Sequence, residues 1–477
     1  MARYNVLTNS NRVGSYELAR DVAVDAAGNV YVTGLSVVGN SQAGLDYVTV
    51  KYAPTGQQLW AARYNGPTNN QDEARALAVD AAGNAYVTGI TTRAAGNTDY
   101  ATVKYSPTGQ QLWVAYYDGP ANGSEQAWAI AVDAGGNVYV TGDSAGAGTS
   151  GDYATVKYSA SGQQLWAARY NGPTSGGDYA QALGLDAAGN VFVTGISYRD
   201  DNSTSGDFAT VKYAPTGEQL WAAVYNSPAN GYDEGRIIAV DAAGNAYATG
   251  YSHPEAVDSP GDYLTIKYSA GGQQLWTARY NGPGNDFDYP EATAVDAGGN
   301  VYVTGLSTGT ASGTDYATIK YSPAGLRQWV ARYNGPANQA DAARDVAVDA
   351  VGNVYVTGSS MGVSSGNDYA TVKYAPNGAE LWADRYNGTG NGSDEAEAIA
   401  VDAAGNAYVA GFSTAPDFAS GLDFVTLKYA SSTTPCSPTA QQPMAAPDEF
   451  TTLCGPLTFT AAQLLSNDTY PGGRPCK

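Results

Sequence analysis

The sequence predicts an all-β fold: an eight-bladed β-propeller of four-stranded antiparallel blades, closed by the N-terminal strand completing the last blade. Three observations support this prediction: an eightfold internal repeat, four strand-like segments in each repeat, and length variation confined to one loop. A repeat period near 50 residues is typical of solenoids and propellers. The repeats are marked by Asp-Ala-Ala-Gly-Asn or a close variant, with landmark aspartates 53 or 55 residues apart at Asp25, Asp80, Asp133, Asp186, Asp241, Asp296, Asp349 and Asp402.

One repeat unit shows the four predicted strands clearly. They are residues 76–79, 85–88, 100–105 and 111–117. Each segment has strand length and is rich in Val, Thr, Tyr and Trp, which favour β structure. Asp-Ala-Ala-Gly-Asn joins the first two strands and Ser-Pro-Thr-Gly joins the last two, with Gly, Asn and Pro in turn positions. Because no helical stretch intervenes, four antiparallel strands per unit predict a propeller blade.

The spacing of the repeat separates a fixed part from a variable part. The turn aspartate and the glycine of the following Val-Thr-Gly are nine residues apart in all eight units, and Lys51 and its counterparts precede the next turn aspartate by 29. All length variation lies between the second and third strands. Insertions there come in steps of two, which preserve the alternation of side chains in a pairing strand. We therefore expect this loop and the blade-connecting loop to share one face, which is the default recognition surface.

The two ends of the repeat region are complementary. Residues 2–5, Ala-Arg-Tyr-Asn, match the fourth-strand segment at residues 62–65, whereas the last unit stops after its third strand at Tyr429. We expect Arg3 and Tyr4 to pair beside residues 424–429, which completes blade eight and removes an exposed sheet edge. Two alternatives remain open: the sequence simply begins inside a unit, or the strand completes the last blade of a neighbouring molecule and builds a filament.

The composition changes after the repeats. We predict a propeller at residues 1–430, a linker rich in Ser, Thr, Pro and Gln at 431–447, and a fragment of a cadherin-like or Ig-like β module at 448–477. The last segment is too short to form a stable core by itself. Cys436, Cys454 and Cys476 all lie in this tail, which permits one disulfide of unassigned pairing in an oxidising compartment.

Charge and hydropathy exclude some classes of function. The net charge is −21, which argues against nucleic acid and anionic membranes as partners. No apolar run approaches the length of a membrane span. The first residue falls within a repeat unit, so we expect any targeting segment to lie upstream of this sequence.

Three segments carry a resemblance to a known family. They are Asp-Ala-Ala-Gly-Asn-Val-Tyr-Val-Thr-Gly, Asp-Tyr-Ala-Thr-Val-Lys-Tyr and Gln-Gln-Leu-Trp, which recur across residues 1–430 and resemble the bacterial SBBP β-propeller repeat family. That resemblance implies a secreted or surface-attached bacterial protein without an established general activity. The tail segment 464–468, Leu-Leu-Ser-Asn-Asp, with Pro471 and Gly472, is similar to the start of bacterial cadherin-like surface repeats, which usually carry Asp where Tyr470 stands.

Two rings of carboxylates are expected on the variable face. The first ring lies eight residues before each turn aspartate: Glu17, Asp72, Glu125, Asp178, Asp233, Asp288, Asp341 and Asp394. The second ring begins the third strands: Asp46, Asp99, Asp152, Asp207, Asp262, Asp315, Asp368 and Asp423. One interpretation is Ca²⁺ binding, with Asp72, Asp178, Asp233, Asp288, Asp341 and Asp394 as candidate ligands. The alternative is that each carboxylate caps a turn or accepts backbone N–H groups in its own blade, and recurrence in every blade favours it.

Other residues point to structure more than to chemistry. The recurrent tryptophans are predicted to fill the space between blades: Trp60, Trp113, Trp166, Trp221, Trp276, Trp329 and Trp382. Trp128 occurs in one unit only, and it either faces the central channel or packs within the blade like other core residues.

The third-strand lysines are predicted to pair with the turn aspartates. His253, with Glu255, Asp258 and Ser259 nearby, is interpreted as part of a surface loop because sequence proximity does not build a catalytic triad.

The sequence contains no phosphate-binding glycine motif and no Cys/His metal cluster. We therefore expect no catalytic residues and no cofactor other than calcium. The favoured function is a non-catalytic extracellular or cell-surface binding or scaffold protein that adheres to a glycan or to a surface protein through the variable loop face. The alternatives are a structural subunit that forms filaments by strand exchange and a polysaccharide-active enzyme, either a lyase or a hydrolase.

Overall fold

The structure is a computed structural model, and it describes residues 2–4, 17–37, 44–93, 96–146, 148–174, 176–199, 206–253, 260–414, 421–431 and 452–453. Over these residues the secondary structure consists of β-strands and turns, as the sequence predicts. Strand β1 (Ala2–Tyr4) opens the chain. The linker, the three cysteines and nearly all of the C-terminal segment 448–477 lie outside the described residues.

The first four blades follow one another along the chain, each as a sheet in sequential strand order. Blade 1 comprises β2 (Glu17–Val24), β3 (Val30–Val37), β4 (Leu45–Tyr52) and β5 (Gln58–Tyr64). Blade 2 comprises β6 (Asp72–Val79), β7 (Ala85–Thr92), β8 (Thr98–Tyr105) and β9 (Gln111–Tyr117). Blade 3 comprises β10 (Glu125–Val132), β11 (Val138–Gly146), β12 (Thr149–Tyr158) and β13 (Gln164–Tyr170). Blade 4 comprises β14 (Asp178–Leu185), β15 (Val191–Tyr198), β16 (Gly206–Tyr213) and β17 (Gln219–Tyr225).

The remaining blades repeat this arrangement. Blade 5 comprises β18 (Asp233–Val240), β19 (Ala246–Ser252), β20 (Asp262–Tyr268) and β21 (Gln274–Tyr280). Blade 6 comprises β22 (Asp288–Val295), β23 (Val301–Thr308), β24 (Thr314–Tyr321) and β25 (Arg327–Tyr333). Blade 7 comprises β26 (Asp341–Val348), β27 (Val354–Met361), β28 (Asn367–Tyr374) and β29 (Glu380–Tyr386). Blade 8 comprises β30 (Asp394–Val401), β31 (Ala407–Thr414) and β32 (Leu422–Tyr429).

Strand β1 occupies the fourth-strand position of blade 8. Its backbone runs antiparallel to β32, with Ala2 opposite Thr426 and Tyr4 opposite Phe424. A two-residue strand, β33 (Thr452–Leu453), pairs in parallel with the end of β32. The eight first strands neighbour one another in a circle, and β2 contacts β30 as it contacts β6. The described blades therefore form a ring around a central axis.

Burial is distributed by strand position within each blade. The second and third strands are buried along almost their whole length, as in β3 and β4. The first strands alternate between buried and half-buried residues, and the fourth strands are mostly exposed or half-buried until their last residue. The first strand therefore lines the axis and the fourth strand forms the rim, while the two middle strands carry the core of the blade.

The hydrophobic core of the molecule lies between blades. Eight clusters each combine residues of two adjacent blades, because neighbouring sheets pack face to face. One of them joins Tyr408 and Phe424 of blade 8 to Val22, Val32 and Val50 of blade 1. The seam between the first and last blades is therefore built in the same way as the other seven.

The first strands are longer than predicted. β6 begins at Asp72 rather than at residue 76, and a β-bulge between Ala74 and Ala76 interrupts its pairing with β7. The bulge inserts one extra residue and breaks the side-chain alternation, which is why the sequence pattern showed only the part that follows it. The first-ring carboxylates therefore lie within the strands rather than in the loops before them.

Candidate functional site

The first-ring aspartates are buried caps of the blade-connecting loops. All six calcium candidates have at most 1% of their surface exposed. Each accepts a backbone N–H from the residue six positions earlier, at 2.6–2.8 Å, as from Gly66 to Asp72. Burial raises the pKa of each, to about 6 for Asp72 and Asp178. These contacts match the capping interpretation, and calcium binding by this ring stays a prediction.

The second-ring aspartates are held by arginines. In five blades the arginine comes from the fourth strand of the same blade, as in the pair between Arg332 Nη2 and Asp315 Oδ2 at 2.8 Å. The five fourth-strand arginines are Arg63, Arg169, Arg279, Arg332 and Arg385. In blades 2 and 4 the fourth strand carries Tyr116 and Val224 instead. There Arg93 and Arg199, each four residues after the Val-Thr-Gly glycine, pair with Asp99 and Asp207.

The opposite end of each blade is built from the repeated turn residues. Asp25 Oδ1 accepts the N–H groups of Ala27 and Asn29, and its Oδ2 accepts the hydroxyl of Tyr31. Lys51 lies 3.7 Å from the same Oδ2, and Lys212 pairs with Asp186 in blade 4. The predicted pairing of the turn aspartates with lysine is confirmed at these positions.

The recurrent tryptophans lie between blades, as predicted. Trp60 packs against Tyr31 of its own blade and Tyr105 of the next, and its Nε1–H donates to Pro107 O of that next blade at 2.9 Å. Trp113, Trp166, Trp221, Trp276 and Trp329 make the equivalent hydrogen bond to the next blade. Trp382 packs in the same way between Tyr355 and Tyr429, so the indole rings serve the packing of blade against blade.

The residues that differ from blade to blade gather along the first strands. Three residues after each first-ring acid stand Arg20, Arg75, Trp128, Gln181, Arg236, Glu291, Arg344 and Glu397. Arg20 and Arg75 both approach Glu73, and Arg344 pairs with Glu291 at 2.9 Å. Because the first strands line the axis, these eight positions, six of them charged, form a belt around it.

Trp128 belongs to this belt and is 36% exposed. The guanidinium of Arg75 lies 3.7 Å from its ring centroid, and its Nε1–H donates to Asp143 Oδ1 at 2.9 Å. The sequence left two alternatives for Trp128: facing the channel or ordinary packing. Its position on the first strand β10 agrees with the side chain facing the axis. Its ring is covered on one side by Arg75, which is a cation–π arrangement.

A continuous group of aromatic rings lies at the loop end of blades 4, 5 and 6. We call it the aromatic cluster, and its members are Tyr179, Tyr198, Tyr232, Tyr251, His253, Phe287 and Tyr289. Successive rings are 4.9–6.1 Å apart between centroids, and the Tyr232–Tyr251 and Phe287–Tyr289 pairs are stacked. Phe287 is 41% exposed, whereas the tyrosines are half-buried. The cluster therefore presents ring surface to the solvent on a rigid base.

Polar groups border the aromatic cluster. The hydroxyl of Tyr232 donates to Glu234 Oε2 at 3.0 Å, and Arg236 pairs with Glu234 Oε1 at 3.1 Å. The guanidinium of Arg236 also lies over the ring of Tyr289, 4.6 Å from its centroid. Burial raises the pKa of Tyr232, Tyr251 and Tyr289, so their hydroxyls stay protonated at physiological pH. The cluster thus combines apolar faces with hydrogen-bond donors and acceptors.

His253 lies in a loop, as predicted, but its ring is not free in solvent. It packs against Tyr232 and Tyr251, and its backbone N–H donates to Tyr232 O at 3.0 Å. Its Nδ1 is buried without a hydrogen-bond partner among the described residues. Glu255, Asp258 and Ser259 lie outside the described residues.

The sequence analysis missed the aromatic cluster because its members occupy positions that are not aromatic in most units. The residue after the first-ring acid is Tyr179 in blade 4 and Tyr289 in blade 6, but Leu18 and Ala342 in blades 1 and 7. The residue three after the Val-Thr-Gly glycine is Tyr198 in blade 4. A column-by-column comparison of the units shows aromatic residues at these positions in three consecutive blades, with Tyr16 and Phe412 as further instances in units 1 and 8.

The fold and this surface define the class of the protein: an eight-bladed repeat propeller with a unit-specific patch at its loop face. Among family models, the SBBP beta-propeller repeat matches residues 328–363, from the end of blade 6 into blade 7. No curated protein sequence matches the chain. Among solved structures, one similar chain is described as the crystal structure of the eukaryotic initiation factor, at 9% identity and a TM-score of 0.40, covering 81% of this chain and 90% of that chain. This similarity carries no argument about function. No helix within the described ranges is long and apolar enough to cross a membrane.

Proposed function

We propose that this protein is a non-catalytic binding or scaffold protein of the bacterial cell surface or exterior, and that its aromatic cluster binds a glycan. The observation that carries the proposal is the uninterrupted contact of aromatic rings across three blades beside Glu234 and Arg236. The bacterial, extracellular setting rests on the resemblance of the repeats to a family with that setting. A surface protein is the alternative partner for the same patch.

The chemistry of the cluster suits a sugar ring. Carbohydrates present C–H groups on one face and hydroxyls at the rim, so they pack on aromatic rings while polar neighbours bind the hydroxyls. Phe287 and Tyr289 supply a stacked, partly exposed pair, and Glu234 with the tyrosine hydroxyls supplies acceptors and donors. Binding sites commonly combine an apolar lining with a few fixed polar groups in this way.

The test is binding of oligosaccharides to the purified chain. A glycan array covering neutral and acidic sugars should identify a ligand, and titration calorimetry should then give its affinity. Phe287→Ala should weaken that affinity about tenfold, equivalent to about 1.4 kcal/mol, because the exposed half of the stacked pair is removed. Phe287 is 41% exposed and lies in a loop, so the fold should be retained.

Val363→Ala is the matched control. Like Phe287, Val363 is an exposed apolar loop residue, at 74% exposure, but it lies between the second and third strands of blade 7, away from the cluster. Affinity should not change in this variant. If no glycan on the array binds, or if Phe287→Ala binds as tightly as the unsubstituted protein, glycan recognition by the cluster is wrong. Capture of a surface protein would point to the alternative partner.

The absence of catalysis needs its own measurement. The captured oligosaccharide should keep its length after prolonged incubation with the protein, as followed by mass spectrometry. Glu234 and Glu291 both contact Arg236, at 3.1 and 3.9 Å, so each carboxylate already has a cationic partner, which suits a binding role. Shortened products that disappear in a Glu234→Gln variant would instead establish the polysaccharide-active enzyme.

A further inference from the structure

The seam between blades 2 and 3 carries a cluster of three carboxylates at the loop end. Asp99 lies on β8, Asp118 follows β9 directly, and Glu125 begins β10. One carboxylate oxygen from each residue lies within 4.8 Å of those from the other two. The site is distinct from the aromatic cluster, which lies on blades 4, 5 and 6.

Asp118 is what distinguishes this seam from the others. Six other blade connections carry asparagine at this position: Asn65, Asn171, Asn226, Asn281, Asn334 and Asn387. In five of them the asparagine Nδ2 donates to the side chain of the asparagine four residues later, at 2.5–2.8 Å. An ionised Asp118 cannot donate to Asn122 in this way. The seam has therefore replaced a structural donor with an additional negative charge.

Glu125 supplies a second, independent observation. It is fully buried, at 0% exposure, and its Oε2 has no hydrogen-bond partner within the described chain. Ser144 donates to the other oxygen, Oε1, at 3.3 Å. In the aspartate seams the corresponding oxygen accepts a backbone N–H, as Asp72 Oδ2 does from Gly66. A buried carboxylate oxygen without a donor is unfavourable, and a bound cation would stabilise it.

The local charge favours a cation. Asp99, Asp118 and Glu125 bring three carboxylates close together at this seam. Arg93 contacts Asp99 Oδ2 at 3.0 Å, but its side chain is 40% exposed and it does not offset three carboxylates. The fourth-strand arginine found in five other blades is Tyr116 in this one. The seam thus has an excess of negative charge in a partly buried place.

We propose that Asp99, Asp118 and Glu125 bind a divalent cation, with Ca²⁺ as the preferred ion. Carboxylate oxygens are the ligands that both Ca²⁺ and Mg²⁺ prefer. Ca²⁺ accepts a flexible coordination geometry, whereas Mg²⁺ requires a nearly ideal octahedron. Three carboxylates from separate strands and loops therefore suit Ca²⁺ better. Three carboxylates leave coordination positions for water. Such an ion joins blade 2 to blade 3 and neutralises the charge of the seam.

The experiment is calorimetric titration of the chelator-treated protein with CaCl₂ and, separately, with MgCl₂ at constant ionic strength. We expect one Ca²⁺ site per chain, weaker binding of Mg²⁺, and a higher melting temperature in CaCl₂. Asp118→Asn should reduce Ca²⁺ affinity at least tenfold. This variant should fold normally, because asparagine at this position is what six other seams contain and can donate to Asn122.

Asp286→Asn is the control, because Asp286 is an exposed aspartate in the equivalent type of loop between blades 5 and 6. It removes the same charge and should leave Ca²⁺ binding unchanged. Two results would overturn the site: no heat of binding with the unsubstituted protein at millimolar CaCl₂, or equal Ca²⁺ affinity in the unsubstituted protein and Asp118→Asn. If both aspartate substitutions weaken binding equally, the effect is one of general charge and the assigned site is wrong.

Discussion

At the scale of single residues, distinctive contacts between blades occur where one repeat differs from the others. Asp21 and Asp345 occupy a first-strand position at which the other six blades carry alanine or isoleucine. Asp21 Oδ2 accepts the N–H of Leu77 from the next blade at 2.7 Å, and Asp345 Oδ2 accepts that of Ile399 at 2.8 Å. Both carboxylates thus tie neighbouring blades together beside the axis.

These two carboxylates predict a pH dependence of stability. Burial raises the pKa of Asp21 to about 7 and that of Asp345 to about 6, and the charge of Asp345 adds to the shift of Asp21. Because the folded pKa lies above the unfolded value, the folded state binds the proton more tightly. The contribution of Asp21 to stability is therefore complete below about pH 4 and is lost as the pH rises through about 7.

Asp21→Ala, which installs the residue that five other blades carry, should flatten this dependence. Melting temperatures measured from pH 5 to pH 8.5 should converge on, or cross, those of the unsubstituted protein as the pH rises. Asp286→Ala is the control because it removes an exposed aspartate from a loop, and it should leave the dependence of melting temperature on pH unchanged. A constant difference between Asp21→Ala and the unsubstituted protein at every pH would contradict the raised pKa.

At the scale of the element, the glycine of Val-Thr-Gly explains why this motif recurs. In blade 7 the bulge between Ala343 and Asp345 brings the carbonyl of Ala342 directly over Gly358, where a Cβ would overlap the oxygen. The same overlap with a first-strand carbonyl occurs at the corresponding glycine of every blade. The motif is therefore a requirement of the bulge, which in turn lets the first strand run along the axis.

Gly358→Ala should destabilise the protein by about 1–3 kcal/mol, because the first strand must move to admit the methyl group. Urea denaturation monitored by tryptophan fluorescence measures this change. Gly271→Ala is the control: Gly271 has open space around its Cβ direction, and Ala324 occupies the equivalent turn position in blade 6. Its effect should stay within about 0.5 kcal/mol. Equal effects of the two substitutions would show that the close approach at Gly358 does not limit stability.

At the scale of the whole molecule, the ring is held by repeated contacts between neighbouring blades. Lys428 of blade 8 donates to Pro54 O of blade 1 at 3.0 Å, the same contact that Lys51 makes with Pro107 of blade 2. Together with the shared core of Tyr408, Phe424 and Val50, this contact joins the last blade to the first. The pairing of β1 with β32 adds backbone hydrogen bonds to the same blade.

Deleting residues 1–4 should expose the edge of β32, because Ala2, Arg3 and Tyr4 lie opposite Thr426, Val425 and Phe424. An unpaired edge invites pairing with another chain. We expect a lower melting temperature and a dimer at high concentration by light scattering, both reversed by a peptide of residues 1–8. A monomeric deletion variant with an unchanged melting temperature would show that β1 contributes nothing. Oligomers of the intact chain would instead support filament formation by strand exchange.

Much of the architecture is predictable from the sequence, because each unit repeats the same turn residues and strand pattern. The eight blades, the antiparallel strand order, the inter-blade tryptophans and the capping of the Asp25-type turn all follow from local patterns. The first-strand boundaries do not, because a bulge breaks the alternation that marks a strand. The sequence pattern also does not predict that Arg93 and Arg199 replace the fourth-strand arginines, since each of them directly follows a second strand.

The sequence by itself determined the fold of this protein, because every blade is specified by interactions between residues near one another in the chain. Only the tertiary structure decided where its distinctive surfaces lie. The aromatic cluster unites residues from position 179 to 289, and the carboxylates of Asp99, Asp118 and Glu125 meet across a seam between two sheets. These residues become neighbours only when the blades pack together. The sequence pattern of one unit contains no information on the distance between side chains of different units.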